Sequence, residues 1–231
     1  MNERHTGITP YPIQHELGKG GCSSIIHRED NIGIRHEYLV QASTPSRFYQ
    51  APEKCFIFVL AGDLFLKNQD NEIQLKKHQG CWLPSNSITV ATLLSPHVKL
   101  CIITLSANTD PVDNTVAFHK LSSGNIRSFP ERNGVIHWPL YQGEDAVISI
   151  QLYPAHYKET PYYHKKTDQY LLCLEGELAI SINKQAFKLC PSIGLYIPKM
   201  TRKALFNHNS TSITVLSVTT PYPEKGRVLA L

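Results

Sequence analysis

Short apolar runs rich in Val, Ile, Leu, Phe and Tyr punctuate the chain, separated by turn residues. FIFVLAGDLFL, GCWLP, VATLL and KLCIITL occupy the first half, and VISIQLYP, QYLLCLEGELAISI, GLYIP and SITVLSVTTP the second. No segment holds the 3.6-residue apolar period of a helix over three turns, so the pattern predicts a mostly β protein. One short helical turn is expected near the C-terminus, between Pro223 and Leu231.

The two halves repeat. Gly62 and Gly176, Gly80 and Gly194, and Pro84 and Pro198 each stand 114 residues apart. Each copy runs from an apolar strand through a Gly-acidic turn (Gly62-Asp63, Gly176-Glu177) into a polar-tipped hairpin and a Gly-x-aromatic-apolar-Pro strand. Glycine permits positive φ at the turn, and proline closes a strand where no ladder donor is needed. A β unit repeated once, with about eight short strands per copy, implies an all-β chain of two tandem jelly-roll β-barrels. The expected division is an N-terminal arm over 1–20, a first barrel over 21–118 and a second over 119–231.

Composition narrows the function classes. The 231 residues carry 23 Lys and Arg against 19 Asp and Glu, a net charge of +4 without a basic stripe, so nucleic-acid binding is not expected. The longest apolar run, Phe56 to Gly62, is far shorter than the roughly 20 residues of a membrane helix. The N-terminal MNERHTGITPYPIQHE lacks the apolar centre of a secretory signal. Cysteines 22, 55, 81, 101, 173 and 190 form no CxxC pair and mostly sit in apolar strands, which suits reduced thiols in a cytoplasmic protein.

Two motifs resemble those of the cupin superfamily. In the second half Tyr162-Tyr163-His164 is followed after four residues by Gln169 and after six more by Gly176. The second motif runs Ser192, five residues, Pro198, Lys199, Met200, two residues, Lys203, three residues, Asn207. The resemblance spans about 35–106 and 147–220 and implies two cupin barrels in one chain, a bicupin. Both copies depart from the family by placing Gly four residues before the Pro, with His78 and Ser192 at the usual glycine position.

In metal-binding cupins three histidines and a Glu hold a divalent ion. Carried over by position, these become Tyr162, His164, Gln169 and Lys203 in the second barrel and Phe48, Gln50, Cys55 and Thr89 in the first. The first set offers almost no ligands, so that barrel is read as structural or dimer-supporting. In the second, His164 alone is a good ligand. An ammonium about 4 Å from a dication costs roughly 8 kcal/mol at an effective dielectric near 20, so Lys203 opposes a metal and no cofactor is expected. The alternative is a divalent ion on His164 helped by His156 or by Asp168, although alternation turns Asp168 to the other face.

Strand alternation gathers Tyr162, His164, Gln169, Cys173, Lys203 and Leu205 on one inner face, with Tyr153 and Gln151 from the preceding strand. This set suits chemistry beside a carbonyl. Lys203 would hold a carboxylate or enolate oxygen, His164 would move a proton near neutral pH, and Tyr162 would donate from the other side. Gln169, Tyr153, Gln151, Cys173 and Leu205 would bind the substrate. Lys165 and Lys166 stand beside His164 and would attract an anion. His137, Trp138 and Tyr141 read as packing between the barrels.

Three functions follow. The first is a metal-independent isomerase, cyclase or lyase acting on a small, polar, anionic metabolite, similar in kind to metal-free cupins that epimerise, isomerise, cyclise or dehydrate small molecules. The second is a non-catalytic binding or regulatory bicupin. The third is a metal-dependent oxygenase or decarboxylase. The resemblance also implies a homodimer, with no nucleic-acid or membrane partner.

Overall fold

The structure is a computed structural model and describes residues 13–29, 31–50, 54–69, 71–106, 118–131, 133–223 and 226–229. These residues are all strand, turn and loop. None forms a helix long and apolar enough to cross a membrane. The chain divides between Ser122 and Ser123 into two compact units. The division falls later than the expected 118/119 because Leu121 bridges back to Gly80 in the first unit.

Each unit is a pair of antiparallel sheets. The first unit's six-stranded sheet runs in spatial order Ile13–Glu16, Cys22–Glu29, Ile32–Val40, His97–Leu105, Lys54–Ala61, Gly80–Leu83. Its four-stranded sheet runs Ser46–Gln50, Ile88–Leu93, Leu64–Asn68, Asn71–Leu75. The second unit repeats both arrangements. Its six-stranded sheet is Phe129–Pro130, Ile136–Gln142, Val147–Tyr153, Ile213–Thr220, Asp168–Glu175, Gly194–Ile197. The facing sheet is Tyr162–Tyr163, Lys203–Phe206, Leu178–Ile182, Gln185–Leu189.

The second unit adds one strand. Val228–Leu229 pairs with Tyr163 and Tyr162 at the sheet edge. The described part of the expected C-terminal helical turn is therefore extended, and residues 224–225 and 230–231 lie outside the described set. Within the expected N-terminal arm, Ile13–Glu16 is a strand on Cys22–Glu29, and residues 1–12 lie outside the described set.

Alternating residues of the facing sheets make each core. Leu39, Ile57, Val59, Leu64, Leu66 and Leu100 meet in the first unit. Leu171, Cys173, Leu178, Ile180, Leu205 and Val215 meet in the second. Each such side chain removed from water contributes about 1.5–3 kcal/mol. The Gly62 turn, at φ +79°, is needed for closure, since a Cβ there would collide with the His97 carbonyl. Gly176 holds the matching turn at φ +85°.

One expected correspondence is corrected. Tyr49, not Phe48, is the first unit's counterpart of Tyr162, because Tyr49 pairs with Thr89 as Tyr162 pairs with Lys203. A slip of one residue exchanges the faces of a strand. Phe48 is accordingly 68% exposed, whereas Tyr49 is buried. Tyr49 donates to the buried Glu37 carboxylate at 2.6 Å, and Arg47 clamps the same carboxylate with bonds of 2.9 and 3.0 Å.

Candidate functional site

The mouth of the second barrel encloses a cavity of about 420 Å³. Ser149, Gln151, Gln169 and Ser217 line it from the inner face of the six-stranded sheet, with His164 and Arg227 from the loops and tail above. The sheet residues form short polar relays. Tyr153 donates to the Gln151 amide oxygen at 2.7 Å, and the Gln151 amide nitrogen donates to Ser149 at 3.2 Å. Gln169 donates to Ser217 at 3.0 Å. Each amide is thereby fixed in orientation.

His164 follows the Tyr162–Tyr163 strand and is buried, its ring edge-on to Tyr162 at 5.4 Å. Burial, then the charges of Lys203 and Arg227, push its pKa down to about 4, so the ring is neutral at neutral pH. Among the described residues, His164 Nδ1, Gln169 Oε1 and the Tyr162 hydroxyl have no hydrogen-bond partner. Buried polar atoms are nearly always satisfied, so these three are available to a polar ligand.

The C-terminal tail completes the site. Pairing of Val228 with Tyr163 carries Arg227 over the Tyr162 ring, its guanidinium 4.7 Å from the centroid. Arg227 Nη1 donates to Glu159 Oε1 at 2.6 Å. Glu159 is buried and also accepts from the Leu205 amide at 3.1 Å and the Tyr157 hydroxyl at 3.4 Å. Burial raises the Glu159 pKa, and Arg227 opposes that shift. At the rim, Glu131 Oε1 lies 2.9 Å from His137 Nε2.

The expected site residues divide into two groups. His164, Gln169 and Gln151 line the cavity. Tyr162 and Lys203 stand behind that lining, both buried, with the Lys203 ammonium 5.3 Å from the Tyr162 centroid. Burial pulls the Lys203 pKa down to about 7, and Glu159 opposes it. Tyr153, Cys173 and Leu205 belong to the apolar core. Lys165 and Lys166 line a neighbouring cavity of about 770 Å³ with Tyr222 and Pro223, residues that also border the site.

Arg227, Glu159 and the Glu131–His137 pair have no part in the sequence-based site. Arg227 sits in a tail outside the repeat and Glu159 in a loop, so neither carries a period or a motif. His137 lines the mouth of the second barrel.

The donor set does not suit the divalent ion associated with the fold. Among the described residues, no three His, Cys, Asp or Glu side chains gather as a metal would require. The four ligand positions hold a phenol, one imidazole, an amide and an ammonium, with a guanidinium beside them. Asp168 is engaged elsewhere, accepting from the Lys199 amide at 2.6 Å.

Two jelly-roll units with a polar cluster at the mouth of the second define a two-barrel protein of cupin fold. Similar solved structures include AerE from Microcystis aeruginosa, 16% identical with a TM-score of 0.71 over 91% of this chain and 97% of that one. A cupin 2 conserved barrel domain protein from Leptotrichia buccalis is 12% identical, TM-score 0.67, over 89% and 91%. Bacillus subtilis oxalate decarboxylase, studied for its Mn(II) centres, is 9% identical, TM-score 0.64, over 94% and 77%. At these identities the likeness is one of fold. No family model and no curated protein matches the sequence.

Proposed function

We propose that the second barrel is the active site of a metal-independent isomerase, cyclase or lyase acting on a small anionic molecule beside its carbonyl group. One observation carries the reading: a neutral imidazole with a free Nδ1 and a guanidinium border the same polar cavity. Arg227 pairs with the substrate carboxylate or with the oxygen of the developing enolate. His164 Nδ1 takes a proton from the carbon beside the carbonyl. The C–H electron pair forms the C=C bond of the enolate as the carbonyl π pair moves onto oxygen, and the imidazolium, its proton exchangeable with solvent, then returns a proton to carbon. Gln151 and Gln169, held by Tyr153 and Ser217, orient the ligand. Lys203 acts from behind Tyr162, where its charge helps hold His164 neutral.

The low pKa of His164 favours a second reading, a binding module without turnover, because an imidazole near 4 is a weak base at neutral pH. A bound substrate carboxylate raises that value and restores basicity. The test follows solvent deuterium entering pyruvate, phenylpyruvate and 2-oxoglutarate by proton NMR, with chelator present. The proposal expects exchange by wild type into at least one of them, lost in H164A and strongly reduced in R227Q. Exchange that persists in H164A, or that needs added Mn(II) or Fe(II), overturns it. A tightly held, unreacted metabolite in native mass spectra, with no exchange, selects the binding reading.

A further inference from the structure

We propose that the mouth of the first barrel is a separate site for a small oxyanion, carboxylate or phosphate, held by Arg35. A cavity of about 760 Å³ opens there, bordered by His27, Arg28, Gly33, Arg35, Thr104 and Ser106. It matches the second unit's site by register. Ile25 pairs with Arg35 as Pro139 pairs with Ser149, and Arg28 pairs with Gly33 as Gln142 pairs with Val147. Arg35 thus stands where the second barrel has the small Ser149, and its longer side chain reaches toward the opening.

Charge accounting leaves Arg35 unspent. Glu37 is fully buried, yet its carboxylate already accepts two bonds from Arg47 and one from Tyr49. Arg35 reaches it only through Nε at 3.3 Å. Two guanidiniums therefore share one carboxylate, and the cluster keeps one positive charge. Among the described residues no acceptor meets the Arg35 Nη groups, and 36% of the side chain is open to the cavity side. A guanidinium fork with free donors matches two oxygens of a carboxylate or phosphate. Gly33 clears the wall beneath it, since a Cβ there would collide with the Thr104 hydroxyl. That hydroxyl donates to the Gly33 carbonyl at 3.4 Å and so holds the wall in place. The carboxylate at the rim, Glu29, is 57% exposed and makes no ion pair with Arg35 among the described residues.

The test titrates the full chain with inorganic phosphate and with succinate, against sodium chloride at equal ionic strength. The readout is the Arg35 Nε–Hε resonance together with the thermal midpoint. Saturable movement of that resonance with phosphate or succinate is expected, at roughly millimolar affinity or tighter. Saturable binding read by the thermal midpoint is expected to vanish in R35Q and to weaken several-fold in R35K, and the movement of the Arg35 resonance is expected to survive in R227Q, where the second barrel's guanidinium is gone. Saturation by phosphate alone identifies a phosphate-bearing ligand, and saturation by succinate alone a carboxylate. Movement that never saturates and is matched by chloride overturns the proposal. So does saturable binding, read by the thermal midpoint, that persists in R35Q. Because Arg47 and Tyr49 still satisfy Glu37, R35Q retains the wild-type spectrum elsewhere.

Discussion

Replacing Arg227 with Met separates the tail from the barrel while keeping much of the side-chain volume. The variant removes the 2.6 Å bond to Glu159 and the cation over Tyr162. Glu159 remains buried, with the Leu205 amide, the Tyr157 hydroxyl and the field of Lys203. Breaking a buried pair from one side costs roughly 3–5 kcal/mol. Arg227 keeps 33% of its side chain exposed, and water screens part of that loss, so about 2 kcal/mol is expected. For a unit of this size that lowers Tm by about 10 °C.

The pH dependence gives the stricter test. Burial already raises the Glu159 pKa above 4.5, and loss of Arg227 raises it further. Between the unfolded and folded values the folded state binds a proton that the unfolded chain lacks, so stability falls as pH rises through that window. The R227M deficit therefore grows from about pH 5 to about pH 8. Calorimetry at both pH values, with E159Q and the double variant completing the cycle, reads the coupling directly. A deficit that is absent, or the same at both pH values, would refute the view that Arg227 neutralises a buried Glu159.

Lys203, with a pKa of about 7 in the fold against 10.5 unfolded, contributes stability that is present above the unfolded value and lost as pH falls through 7. K203M should therefore raise Tm at pH 6, by about 1–2 kcal/mol of stability, and change little near pH 10. The His164 ring, with a pKa of about 4, should remain neutral by nitrogen NMR at pH 6, and H164Q should flatten the loss of stability as pH falls from 6.5 through 4. G62A should cost about 2–3 kcal/mol in urea unfolding through positive φ and the clash with His97, with ligand binding unchanged. Q169L should leave stability within about 1 kcal/mol of wild type, because Ser217 is the one side-chain partner of Gln169 among the described residues and the cavity receives the apolar group, while KM rises.

The repeat was legible because its anchors are backbone requirements. Gly62 and Gly176 serve equivalent positive-φ turns, which a residue without Cβ adopts at no steric cost. The inward face was legible wherever the strand phase could be followed without a gap, as from Gln169 to Cys173. It slipped at Phe48 because the first copy has one residue fewer between its inward tyrosine and the following strand. Tyr49 precedes Cys55 by six positions, whereas Tyr162 precedes Gln169 by seven. Arg227 and Glu159 were illegible for another reason. Their pairing joins a tail to a loop 68 positions away, and nothing local constrains either residue.

The two barrels solve the same burial problem in opposite ways. At one register position the first carries Glu37 and the second Gln151, each pairing with the long strand that closes the sheet. Glu37 is answered from within by Arg47 and Tyr49, a network that needs nothing from outside and fixes the barrel interior. In the second barrel the tyrosine equivalent to Tyr49 finds no acceptor among the described residues, and Gln169 and His164 each keep a free acceptor atom. Unsatisfied polar atoms in a cavity cost stability until a ligand meets them. That cost is borne in the barrel whose extra strand brings an arginine to the opening. In the first barrel the Arg35 Nη groups stand above that network without an acceptor among the described residues. The divergence thus leaves acceptors and a cation in one mouth, and the Arg35 guanidinium fork in the other. Two such mouths select different ligands, even on strands that share one register.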